Sequence, residues 1–233
     1  MSEIILTTYF TGKKDPQRKK QWGLDDYSIF KKWAESIKSH KINGIIFHDN
    51  LSNNFIYKHE NDNIKFKRCD KNYIWSTNDF RFFVYRDYVN TNTDLQKIFM
   101  TDISDVVIKQ NPFSNIKSDK IYAGYDNMGM IRWSKIKGFG LVPEYSSFWK
   151  TLENKKVINA GVVGGYREIV LSFLNKMKEQ FEKINRPKEN NNMAVFNYVM
   201  HKYFKNDLIV GSPVTSNFKR YENSRKDVWF IHK

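Results

Sequence analysis

Apolar positions in this chain fall into two kinds of segment: short β-branched runs, and longer stretches in which they recur every three or four residues. Ile4-Ile5-Leu6-Thr7-Thr8 has the length and branching of a buried first strand. From Asp25 to Ser39, Tyr27, Phe30, Trp33 and Ile37 share one face of a helix, and Ile45-Ile46-Phe47-His48-Asp49 follows as a second strand. The order strand, helix, strand is a β-α-β unit and places the chain among α/β proteins. Residues 52–75 show no clean helical period and are expected to form short strands and loops. Ser76, with Asp79 three residues on, marks a helix start, and Phe80, Phe83, Val84, Tyr88 and Val89 continue its expected apolar face.

The later segments repeat the alternation. Ile98 to Met100 and Val106 to Ile108 are apolar runs closed off by Pro112, and Lys120 to Gly124 is a further strand. Val157-Ile158-Asn159-Ala160-Gly161-Val162-Val163-Gly164-Gly165 is a strand interrupted by small residues that permit close approach of another group. A helical stripe from Ile169 to Ile184 ends before Pro187, and a second helix, with Asn192 as its expected N-cap, contains Met193, Phe196, Asn197, Met200 and Tyr203. Leu208 to Gly211 and Val228 to Lys233 close the chain as strands. Two irregular stretches remain. Gly12 to Gly23 is a basic loop suited to closing over a phosphate, and Tyr125 to Tyr145 is a Gly-, Met- and Trp-rich region suited to shaping a pocket.

Composition narrows the function classes. The 233 residues, 40% hydrophobic and 16% aromatic, are enough for one domain spanning 1–233 with a substantial core. The single Cys69 excludes an internal disulfide and a multi-cysteine zinc site, and suits a reducing compartment. No leader-like N-terminus and no apolar run near the ~18 residues needed to cross a bilayer are found, so the expectation is a soluble, cytoplasmic protein. A formal charge of +14 implies an anionic partner: a phosphorylated small molecule, an anionic membrane surface met peripherally, or nucleic acid. The cations concentrate locally only at Lys13, Lys14, Arg18, Lys19 and Lys20, and no aromatic nucleic-acid motif accompanies them, so specific nucleic-acid binding is not expected.

Candidate chemistry centres on Asp102 and Asp105, carboxylates three positions apart where a buried strand reaches the surface. Oxygen ligands so placed suit a hard divalent cation, with a phosphate-bearing substrate supplying further oxygens. The same pair is also consistent with a capped turn and a solvated acid. His48-Asp49 offers two ligand groups, but a strand-end pair of this kind is more often a local hydrogen-bonded turn. Arg81 and Arg86 fall off the expected helical face and are expected to be solvated, with one of them able to reach a phosphate or the two acids. His232, on the last strand, reads either as a loose tail residue or as a third ligand returning to those acids.

Together these features resemble the nucleotide-diphospho-sugar glycosyltransferases of the GT-A fold. The resemblance rests on Thr101-Asp102-Ile103-Ser104-Asp105-Val106-Val107 followed by Asn111-Pro112-Phe113, on Asn159 to Gly165, on Asn192-Met193-Ala194-Val195-Phe196-Asn197, and on His232-Lys233. Their order and spacing agree over most of the chain, and glycosyltransferase domains of large algal viruses are similar in size and layout. The resemblance implies a Rossmann-like, mixed and mostly parallel sheet flanked by helices. It also implies a manganese or magnesium ion that bridges the diphosphate of a UDP- or GDP-linked sugar during transfer to a glycan or other hydroxyl acceptor. Asp105 matches the last acid of the Asp-x-Asp motif, whereas Asp102 stands one position away from the first, giving Asp-x-x-Asp. The implied metal ligands are Asp105, His232 and Asp102. The implied donor-binding residues are Thr8, Tyr9, Phe10, Arg81, Asp102, Ser104, Asn159, Ala160, Gly161 and Lys233. Asn192 stands where related sequences often place Asp, and an amide is no base; Asp126 and Glu144 are the remaining candidates for that role. Two other classes use the same residues differently. A metal-dependent phosphoesterase would employ Asp102, Asp105 and His232 to release phosphate, and a non-catalytic basic module would bind nucleic acid or anionic glycan without needing Asp105.

Overall fold

In the computed structural model, which describes residues 2–17, 19–70, 74–130, 132 and 142–233, the first apolar run becomes the middle of a seven-stranded sheet. Strand β1 (Glu3–Tyr9) pairs in parallel with β2 (Gly44–His48) on one side and with β4 (Lys97–Thr101) on the other, and β2 pairs in parallel with β3 (Ile64–Arg68). Beyond β4 lies the antiparallel β7 (Lys156–Tyr166), then β6 (Ile121–Gly129) and β8 (Leu208–Val210), giving the order β3-β2-β1-β4-β7-β6-β8. A separate two-stranded ribbon joins β5 (Val106–Ile108) to β9 (Phe230–His232).

The central strands are apolar throughout because both faces of the sheet are covered. Side chains alternate between two cores. Ile4 and Leu6 of β1 and Ile98 and Met100 of β4 pack on one side with α3 (Thr77–Thr91), α5 (Arg167–Ile184) and α6 (Asn192–Tyr203). Ile5, Tyr9 and Phe99 pack on the other with α1 (Lys31–Ser39) and the ribbon. Trp33 of α1 joins its helix to the sheet, donating from its indole nitrogen to Thr101 Oγ1 at 2.9 Å, while Thr7 Oγ1 donates to the Thr101 carbonyl at 2.8 Å. These bonds fix the end of β4, where the candidate acids begin.

Three local expectations are corrected. Residues 52–75 contain a helix, α2 (Asn53–His59), capped by Ser52 Oγ accepting from the Phe55 amide, as well as β3; the segment is too short to reveal its period. The face of α3 is rotated from the expected one: Phe82, Val84, Tyr85 and Val89 are buried, and so are Asp79 and Arg81. Asn192 is the first residue of α6 and its N-cap is Asn191, which makes no side-chain capping bond. The Gly12–Gly23 loop is folded back on itself through a bridge between Lys14 and Gln21. Arg18, Tyr73 and the centre of the 125–145 region, including residues 133–141, lie outside the described residues. A short helix, α4 (Ser146–Lys150), follows that region. Among the described residues no helix is long and apolar enough to cross a membrane.

Candidate metal centre

Asp102 follows β4 directly, at the carboxyl ends of the parallel strands, the edge where open α/β sheets bind ligands. Its amide donates to the Gly161 carbonyl at 2.8 Å, extending the pairing of β4 with β7 by one residue. The residue that separates Asp-x-x-Asp from the shorter motif is accounted for by packing. Ile103 turns into the core on the α1 side, the chain bends through Ser104, and Asp105 comes back beside Asp102. Asp105 is pinned in turn by its carbonyl, which accepts from the Lys233 amide at 2.9 Å.

The ribbon delivers the third group. Val106 is paired with His232 across β5 and β9, and the His232 amide donates to Ser216 Oγ at 3.0 Å. The imidazole is 2% exposed and packs against the Phe218 ring at a centroid distance of 4.4 Å. Its Nε2 lies 3.9 Å from Asp102 Oδ2 and 3.9 Å from Asp105 Oδ1. Among the described residues this is the one group of three acidic, histidine or cysteine side chains whose ligand atoms all fall within 4.8 Å of one another. Two carboxylate oxygens and an imidazole nitrogen are a donor set that a single divalent ion such as manganese accepts. Backbone geometry makes room for it. A Cβ on Gly161 would stand 2.7 Å from His232 Nε2 and 2.9 Å from Asp102 Oδ2, so only glycine lets these groups meet here.

Arg81 closes the other side of Asp102. Its Nη1 is bonded to Asp102 Oδ1, and Nη2 donates to the Ala160 carbonyl at 3.3 Å. That carbonyl is available because β7 leaves register with β6: Ala123 faces Val163 but Gly124 faces Asn159. The Asn159 side chain supports the irregularity, accepting from the Gly161 amide at 2.8 Å. Burial disfavours the charge on Arg81, but the neighbouring Asp102 carboxylate outweighs it and holds the guanidinium pKa above its ordinary value. The arginine is thus a fixed cation. Two residues earlier, Asp79 is fully buried, and its Oδ2 accepts from the Asn191 amide at 3.1 Å, joining the start of α3 to the turn before α6. Burial pushes this carboxyl up to about 7, against the lowering effect of its hydrogen bonds to Asn191 and Ser76.

The other expected site residues are distributed as follows. Tyr9 is in the core on the α1 side, edge-on to Trp22 and bonded to the Gly23 carbonyl, and Phe10 packs on Phe80 across the sheet, while Thr8 between them is half-buried. Asp49 accepts from the amides of Thr11 and Gly12 at 2.9 and 2.8 Å, and His48 Nδ1 accepts from the Leu51 amide at 3.2 Å, so both stabilise turns at the same sheet edge. Ser104 is half-buried in the bend between the acids. Arg86 is turned away and bonds Asn175 and Asp87. Glu144 pairs with Arg186 at 3.4 Å, and Asp126 accepts from the Met128 amide on β6; neither belongs to the converging group. The Lys233 side chain lines a groove outside the ribbon.

No protein-family model and no curated protein matches the sequence. The fold does have counterparts. The galactosyltransferase LgtC, in a crystal structure with donor and acceptor sugar analogs, superposes with a TM-score of 0.56 at 12% identity, over 98% of this chain and 86% of that one. An active-site mutant of LgtC gives a TM-score of 0.57 at 12% identity and the same coverage. The mixed, mainly parallel sheet with flanking helices is therefore the GT-A fold of LgtC.

Proposed function

We propose that this chain is a metal-dependent glycosyltransferase that takes a sugar from a nucleotide-diphosphate donor to a hydroxyl acceptor. The observation that carries the reading is the convergence of Asp102, Asp105 and His232 beside a buried arginine, at the carboxyl edge of a GT-A sheet. Asp105 and His232 would hold a manganese or magnesium ion with one oxygen and one nitrogen, and Asp102 would contribute Oδ2 while Oδ1 stays with Arg81. When bound, the ion supplies charge neutralisation to the departing nucleoside diphosphate. Arg81, bonded to Asp102 Oδ1, orients that carboxylate before any substrate enters, so a bound ion would meet a preorganised oxygen. Asn159, Ala160 and Gly161, on β7 beside Asp102 and Arg81, are assigned to the donor sugar. LgtC, with which the fold is shared, was solved with sugar analogs, and that supports a nucleotide sugar and a glycan as substrates here.

Calorimetric titration with UDP and GDP, first with manganese and then with EDTA, tests the reading. One nucleotide is expected to bind only when metal is present, and manganese-dependent hydrolysis of its sugar conjugates should then identify the donor. Absence of metal-dependent binding to either nucleotide overturns the proposal.

A further inference from the structure

The ribbon that brings His232 to the acids has a second side. Successive residues of a strand point to opposite faces, so Ile231 and its partner Val107 face away from His232. They form the floor of a groove of about 460 Å³ between the ribbon and α1, a size suited to a small organic ligand. Lys32, Lys109 and Lys233 line the groove. Among the described residues none of the three is in an ion pair; Glu35, the one acidic side chain lining the groove, is 3.9 Å from Lys31 instead.

The walls of the groove are tied together. Ser36 Oγ of α1 accepts from the Ile108 amide at 3.2 Å, and His40 Nε2 lies 3.0 Å from the Lys109 carbonyl, so the lysines project from a braced frame. Three lysines and one acidic side chain thus border an apolar-floored groove, an excess of positive charge that an anion held between the lysines would offset.

We propose that this groove is a second anion-binding site, which takes a phosphate ester of a small organic molecule. The phosphate lies among Lys32, Lys109 and Lys233, and the apolar part rests on Val107 and Ile231. This site is separate from the one assigned to the sugar donor, and its existence does not depend on that assignment.

Calorimetry of the full chain in EDTA, with phenyl phosphate and inorganic phosphate as probes, decides the matter. Phenyl phosphate is expected to bind at one equivalent, several-fold more tightly than inorganic phosphate because only it covers the floor. The double variant Lys32→Ala/Lys109→Ala should weaken both by at least tenfold. Ser39→Trp, at an exposed rim position, should weaken phenyl phosphate with the circular dichroism unchanged. Asp105→Asn should leave both affinities as they were. Binding that survives the lysine double variant, or no binding to the wild-type chain at millimolar probe, overturns the proposal. Neither result bears on manganese-dependent nucleotide binding, which is measured separately.

Discussion

Gly161 and His232 occupy one space: a side chain of even one carbon at position 161 would fall within 2.7 Å of the imidazole Nε2. Gly161→Ala must therefore push His232 away from Asp102 and Asp105, or open β7 from β4. Overpacking of this kind costs about 1–3 kcal/mol, less than the stability of an ordinary domain of this size. The variant is expected to fold but to bind manganese at least tenfold more weakly, as read by electron paramagnetic resonance of the free ion. Unchanged manganese affinity in Gly161→Ala would separate His232 from the metal.

His232→Gln removes the imidazole nitrogen and Asp105→Asn the carboxylate charge, while both keep the backbone pairings that hold these positions. Substitutions of mere outer partners cost about 10–100-fold in metal affinity or activity, so these two should lose at least that much of the manganese-dependent nucleotide binding. Thermal unfolding in EDTA should change little by comparison. A loss of binding that appears equally in EDTA would mean the residues act on the nucleotide directly.

The parts of this arrangement that the sequence made legible are those carried by period and punctuation. Ile4 to Thr8 and Ile98 to Met100 read as buried strands because every position is apolar or β-branched, and the two covered faces explain why. Pairing of the acids with His232 was approachable from the last strand and the run after Asp105, which turn out to be partners in the ribbon. The burial of Arg81 was hidden for a physical reason. Helix α3 carries Phe80, Phe82, Phe83, Val84, Tyr85 and Tyr88, so aromatic residues surround it and no single stripe shows which side is inward. Asp79 was hidden by its resemblance to an ordinary capping-box acid, although it is buried against the Asn191 turn. The second role of the ribbon, as the wall of a basic groove, depends on Lys32 and Lys109, which are distant in sequence and ordinary in isolation.

Arg81 and Asp102 form a largely buried pair whose side chains are 10% and 31% exposed. Removing one member of a buried pair leaves the other desolvated without its counter-charge, at a cost of roughly 3 kcal/mol. Arg81→Met is expected to lower the urea midpoint accordingly, and Arg81→Met/Asp102→Leu to recover part of the loss, since an apolar pair of similar volume needs no compensation. Both variants should also lose the manganese-dependent nucleotide binding proposed for this site. Equal instability of the single and double variants would show that the arginine acts mainly through Ala160.

Asp79 gives the fold a pH dependence of defined sign. Its carboxyl titrates at about 7 in the folded chain, above the ordinary value of 3.8, so between those limits the folded state holds a proton that the unfolded state has released. The contribution of this group to stability is therefore complete below about pH 4, declines as pH rises through 7, and is flat above it. Asp79→Asn retains a carbonyl oxygen for the Asn191 amide and cannot ionise. Urea unfolding at pH 5 and pH 8 should show the wild type losing stability across the interval relative to the variant, by on the order of 2 kcal/mol. The variant should be the more stable of the two at pH 8. An identical slope in both proteins would mean that Asp79 keeps its charge throughout, and that Arg81, two residues along α3, holds it there.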